Sequence, residues 1–262
     1  MVFVRSLLIF KNLLWRDFLI IKKDFMGDLI NMVTWPTSLA ITFGYVLTAF
    51  GMDKNYGSFL LIGSLATSFF YLAVGLGAEL VNDFEGMRTI EFYQVLPFPS
   101  FRMLFIQKVV SFGLHSVMLA IPLLPMGKLL LGDRLDLHNL SIIKFCMIFM
   151  SAGIFFGVFA LLLAGYIKNQ RTFNSVWRRV YTPMLFTGCF WFTFKMAQAS
   201  FPVLSYIALI NPLTYIAEGI RASVFGPDGY LPFWVSLIAV LGFIGFGGYF
   251  SFKRLKQRLD FV

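Results

Sequence analysis

The chain has 262 residues, 58% of them hydrophobic and 13% charged, with a net charge of +9. A soluble domain carries about 25% charged residues, and a mean hydropathy of +0.78 excludes that class in favour of an integral membrane protein. The basic excess does not indicate nucleic acid, because no arginine-rich, aromatic-interleaved face accompanies it and basic residues collect at the cytoplasmic ends of spans.

The first expected element is an amphipathic helix over residues 1–26, lying on the membrane. Arg5, Asn12, Arg16 and Lys23 form one polar stripe, and Phe10, Leu14, Phe18, Ile21 and Phe25 form the opposite apolar face; that pairing suits the interface. Basic residues and Asp17 interrupt this region throughout, so no cleaved signal peptide is expected. Leu29–Phe50 is the first span, whose 22 residues give about 33 Å of helix. Pro36 inside it is a kink that bundles tolerate. A polar turn at Gly51–Gly57 leads to the second span, Ser58–Val81, with Glu79 near its end. The segment from Asn82 to Phe101 is polar and closes on Pro97 and Pro99.

The third span, about Met103 to Leu131, is longer than crossing requires and contains Lys108, His115, Pro122 and Pro125. After a turn at Gly132–Leu140, Ser141–Ile167 is the fourth span, and Lys168–Arg179 is a basic loop. A fifth span starts near Val180 and is apolar to Phe194, where Lys195–Pro202 interrupts it. Val203–Ile210 and Pro212–Phe225 are each too short to cross, so together they read as a re-entrant excursion. The sixth span, Leu231–Phe252, precedes a basic tail of Lys253, Arg254, Lys256 and Arg258.

Six spans put both termini on one side. Fifteen Lys and Arg residues fall on that face and six on the other, so the termini are expected in the cytoplasm. The third turn departs from this pattern, with Lys128, Arg134 and Lys144 outside, partly offset by Asp133 and Asp136.

Several chemistries lack their residues. The one Gly-Lys pair, Gly127-Lys128, has Pro122 where a P-loop needs its first glycine and Leu129 where it needs Ser or Thr. Neither G-x-S-x-G nor H-E-x-x-H occurs. Cys146 and Cys189 both lie in apolar segments, without the neighbours a disulfide framework or a metal site needs. His115 and His138 are the only histidines, and a lone histidine in a helix reads as a packing contact before it reads as a catalyst.

Two polar stretches remain. Asp83, Glu85, Gly86, Arg88, Thr89, Glu91 and Pro97 occupy a short amphipathic segment after the second span. It can be a solvated loop or a stiff lever that docks on a motor subunit. Asn211, Pro212, Thr214, Tyr215, Glu218 and Arg221 lie in otherwise apolar sequence, where ionisable groups are expensive and therefore informative. Asn211 can cap a helix that starts at Pro212, and Glu218 and Arg221, three apart, can pair. The pair is expected to face protein or a water-filled vestibule.

Thr89-Ile90-Glu91 followed by Leu96-Pro97 and Ser100 resembles the T-L-E…P-x-S signature of type-2 ABC exporter permeases, with Arg88 where many members carry glycine. Asn211-Pro212-Leu213-Thr214-Tyr215 with Arg221 resembles their N-P-L-T-Y…R motif before the last span. The resemblance covers essentially the whole chain. It implies one transmembrane domain over residues 1–262: an all-α membrane protein of six spans, with the interfacial helix at 1–26, a cytoplasmic coupling helix within 82–100, and an outer re-entrant region at 195–229.

The resemblance further implies a permease without its own ATPase site, in a bacterial cytoplasmic membrane. ATP and Mg would be held by separate ATP-binding cassette subunits, and a second permease copy would complete the pathway. The cargo would be an amphiphile: a drug-like molecule, a lipid or a lipid-linked glycan. No cofactor, metal or nucleic acid is expected in this chain. An ATP-independent secondary transporter or channel is the alternative; it would want acidic residues in mid-span, whereas Glu79 lies near an end and Glu218 has Arg221 beside it. A lipid-modifying enzyme is disfavoured by the missing catalytic constellation.

Overall fold

The computed structural model describes residues 2–86 and 101–260, and these contain helices and no strand. Helix α1 runs over Val2–Ile41 and passes through a π-helical turn, Thr42–Val46, into a 3-10 turn, Leu47–Phe50. Gly51 ends it in the left-handed region, at φ 92°. Next come α2 (Tyr56–Glu85), α3 (Phe101–Ala120), α4 (Leu123–Leu131) and α5 (Ile142–Tyr166). Short pieces follow: α6 (Gln170–Val176), α7 (Thr182–Thr187), α8 (Phe194–Ser200), α9 (Pro202–Ile210) and α10 (Pro212–Val224). The last helix is α11 (Phe233–Asp260). Five helical stretches are long and apolar enough to cross a membrane, and a sixth is reached if α9 and α10, bent by 97°, count as one.

The first, second, third, fourth and sixth expected spans all appear as helices. The third is two helices, because Pro122 cannot continue the ladder and α4 restarts after it. The sixth extends through the basic tail to Asp260. The separate N-terminal helix requires correction, since α1 has no break between residues 2 and 41. No proline precedes Pro36 in it, and Asp17 holds its first half along α3. The Asp17 carboxylate accepts from Gln107 at 2.9 Å and from Ser111 at 2.8 Å, with Lys108 Nζ at 3.6 Å. Asn12, Arg16 and Lys23 are exposed as expected, but so is Phe18, while Asp17 is buried with Leu13 and Ile21.

The fifth span also requires correction. The helix entering it stops at Thr187, and residues 188–193 leave the helical conformation, with Cys189 at φ 54°. Arg221, 31 and 32 residues downstream, takes carbonyls of this break, as described below.

The core centres on α2, which contacts α1, α3, α5 and α10. Phe69 and Phe70 lie at its middle, Phe69 edge-on to Phe149 at 4.8 Å and Phe70 edge-on to Tyr181 at 5.9 Å. Glycines let backbones meet where no side chain would fit. A methyl added at Gly157 would collide with the Val109 carbonyl, and one at Gly113 would reach the Gly153 carbonyl, so α3 and α5 touch directly.

The two ends of the bundle differ. Arg258, near the end of α11, bonds the Ala164, Ile167 and Lys168 carbonyls at the end of α5 and covers the Phe84 ring at the end of α2. This is the base. The turns at 51–55 and 132–141 and the region 188–230 gather at the opposite, far end, joined by bonds such as Tyr56 Oη to Trp191 O and Ser141 N to Ser223 O.

Candidate functional site

The far-end site grows from α10. Asn211 leaves the helical region at φ −90°, ψ 117°, and its Oδ1 accepts the Leu213 N–H at 3.0 Å. Pro212 opens the helix, where its missing N–H costs nothing. The Asn211 amide donates to the Met184 carbonyl at 2.6 Å and to Thr187 Oγ1 at 3.1 Å, so the cap also fastens α10 to the end of α7. Tyr215 Oη donates to the Leu209 carbonyl at 2.8 Å and fixes the corner between α9 and α10. Thr214 is fully buried.

One and two turns further on lie Glu218 and Arg221, both with 0% exposure. Their nearest approach, Nη1 to Oε1, is 3.8 Å, longer than a hydrogen bond. Each is instead hydrogen-bonded to backbone. Arg221 donates to Cys189 O at 2.5 Å and Phe190 O at 2.6 Å, with a weaker contact to Phe59 O at 3.4 Å. Its guanidinium stacks 3.7 Å from the Phe59 ring centre. Gly63 faces it on α2, at a spot where a Cβ would strike the guanidinium. Glu218 accepts the Leu231 N–H at 2.9 Å and the Phe194 N–H at 3.3 Å.

The two charges thus satisfy the backbone groups that broken helices leave without partners. Arg221 takes carbonyls from the break at 188–193, and Glu218 takes amides from the start of α8 and from the lead into α11. The arrangement is a clasp joining α2, the 188–193 segment, α10 and α11. It performs no bond chemistry. It fixes the far end to the middle of the bundle while exposing no charge, and the expected pair therefore faces protein.

Beside the clasp lies a cavity of about 460 Å³ between the start of α2, the 132–136 turn, the start of α8 and the turn after α10. Tyr230 lines it, and burial pushes its phenol above the ordinary value, which keeps the hydroxyl protonated.

At the base, the structure describes three of the seven residues of the other expected site. Asp83 and Glu85 lie in the last turn of α2, and Gly86 caps it. Glu85 accepts the Gln170 N–H at 3.1 Å, which links the end of α2 to the start of α6. Arg88, Thr89, Glu91 and Pro97 lie outside the described residues.

A model of the family described as ABC-2 type transporter matches residues 9–225. The chain belongs to that family. No curated protein and no solved structure matches it. As an ABC-2 permease it is a transmembrane component of an ABC transporter, and not itself the ATPase.

Three parts of the permease were not expected from the sequence. The Asp17 cluster was hidden because Asp17 looked like one more charge in a basic helix, and the spacing of Gln107 and Ser111 on a helical face was the available signal. His115 of α3 also approaches Asp28 of α1, at 3.5 Å. Arg258 looked like a tail charge, although it locks three helix ends together.

Proposed function

We propose that this permease is the transmembrane subunit of an ATP-driven exporter that moves an amphiphilic substrate out of the cytoplasm or the inner leaflet. In this reading residues 1–262 form one transmembrane domain of a bacterial cytoplasmic membrane, with the base and both termini cytoplasmic and the far end outside. The first half of α1 packs along α3 and continues into the first span. Segment 82–100 docks on ATP-binding cassette subunits that hold ATP and Mg, a second permease copy completes the pathway, and 195–229 forms the outer re-entrant region.

One observation carries the reading: α2 is braced at both ends. At the base, Phe84 sits under Arg258 and Glu85 holds Gln170, at the start of the segment expected to meet the motor. At the far end, Phe59 and Gly63 meet Arg221. Between them α2 is a single helix of 30 residues, about 45 Å long. A push on Gly86 therefore has a stiff route to the clasp. ATP-driven closure of the motors would shift the bundle between conformations that expose the pathway to either side. An ATP-independent transporter would want a mid-span acid open to an ion, whereas Asp17 is engaged by Gln107 and Ser111.

The test is to co-express the permease with candidate cassette ATPases, purify the complex and measure efflux from proteoliposomes. ATPase should co-purify, and efflux should need hydrolysable ATP. Cross-linkers at residue 91 should capture the ATPase, and Glu91→Lys should lower ATPase stimulation while membrane insertion is retained. Efflux that runs unchanged without nucleotide would overturn the proposal.

A further inference from the structure

We infer that the far-end cavity is a binding site for a neutral sugar ring. Its walls combine flat apolar faces with planar hydrogen-bonding groups. Tyr56 and Phe59 stack at 5.7 Å and 14°, and Phe225 and Tyr230 at 6.3 Å and 25°; the two pairs come from different parts of the chain. Such faces suit the C–H surface of a sugar, a body that is apolar on its faces and polar around its edge. The volume of about 460 Å³ lies in the range of small-molecule sites, about 300–1,000 Å³.

The polar groups are pre-set. Asp53 Oδ1 accepts the Asn55 N–H at 2.8 Å, and Asp136 Oδ1 accepts the His138 N–H at 2.8 Å. Each carboxylate is thereby oriented, and its second oxygen has no partner among the described residues. The Arg134 guanidinium lines the cavity and is stacked 4.2 Å from the Tyr45 ring centre, with its Nη1 buried. Oriented carboxylates and a guanidinium can bind adjacent hydroxyls, the first as acceptors and the second as donor. Their pre-orientation limits the ordering cost of binding.

Charge selects the class of ligand. Asp53 and Asp136 are countered by Arg134 in the lining, and Lys54 and Lys195 are next to lining residues in the chain. A cation or an anion would meet groups of both signs, whereas a polyhydroxylated neutral ring uses both as partners. Phe59 is shared with the clasp, since Arg221 stacks on it. The site therefore sits where the far end is fastened. This reading names a head group for the amphiphile, and it rests on the export proposal only for the side of the membrane that the cavity faces.

The experiment uses the purified full chain in nanodiscs without an ATPase. Saturation-transfer NMR is recorded with glucose, galactose, mannose, rhamnose and N-acetylglucosamine, with tetramethylammonium as the cationic control. At least one neutral sugar should receive saturation, and tetramethylammonium should not displace it. Asp136→Asn and Tyr230→Ala should each weaken that sugar by about tenfold, the effect of losing about one well-formed contact. Tyr230→Phe keeps the ring and guards against misfolding; it should fall between the wild type and Tyr230→Ala. No transfer to any of the sugars, transfer unchanged in Asp136→Asn, or displacement by tetramethylammonium would overturn the assignment. ATP-dependent efflux is measured separately, so a chain that exports but binds no sugar sinks this inference alone, and one that binds sugar without ATP-dependent efflux sinks only the other.

Discussion

Replacing Arg221 by glutamine removes a cation that three carbonyls and a ring hold with no water contact. Two costs follow. The Cys189 and Phe190 carbonyls lose their donors, and the Glu218 carboxylate stays buried without its counter-charge. Removing one partner of a buried pair costs about 3–5 kcal/mol. Glu218→Gln should cost less, about 1–2 kcal/mol, because a glutamine oxygen can still accept the Leu231 N–H and Arg221 keeps its carbonyls. The 3.8 Å separation makes the same point, since the two side chains are not directly hydrogen-bonded. The double variant should regain part of the loss of Arg221→Gln, because no unpaired carboxylate stays buried, but not the wild-type stability, because the Cys189 and Phe190 carbonyls still lack their donors. Reversible unfolding in mixed micelles would measure all three, with hydrogen exchange over 188–230 as a local readout. If Glu218→Gln is as damaging as Arg221→Gln, or if the double variant regains wild-type stability, the backbone-clasp argument is wrong.

Three further outcomes are expected. Gly63→Ala places a methyl against the Arg221 guanidinium and should destabilise by about 1–3 kcal/mol, with faster exchange at 188–193; unchanged exchange would contradict the packing described. Asp17→Asn keeps the shape but drops the charge bonded to Gln107 and Ser111. It should cost about 1–3 kcal/mol and loosen the first half of α1, read as faster exchange there, and protection like that of the wild type would count against the anchor. Gly157→Ala should separate α3 from α5, because the Val109 carbonyl occupies the space; double electron–electron resonance between labels on exposed positions of the two helices would show the shift, and an unchanged distance would refute it.

The long helices were legible because hydrophobic runs of about 20 residues admit few alternatives in a bilayer. The cap at Asn211, the opening at Pro212 and the shared face of Glu218 and Arg221 were legible too, because each follows from local spacing. Other features depended on distant partners. The helix beginning at Thr182 would read through to Phe194 on hydropathy, yet it ends at Thr187 and the next carbonyls go to Arg221. The sequence around 189 carries no trace of that claim. Likewise, a basic stripe on residues 1–26 fits a helix lying on a membrane, and only the pairing of Asp17 with α3 shows why it continues straight into the first span.

The burial of α2 has a consequence for how this protein meets lipid. In the most apolar 18 residues of each helix, α2 is 78% buried, against 28% within Leu7–Phe50 and 22% within α11. The two outer helices form a casing and α2 a shaft inside it. A thicker or thinner bilayer pulls first on the casing, through mismatch costs of fractions of a kcal/mol per ångström, and reaches the shaft through the direct packing of α1 on α2 and through Arg258 at the base.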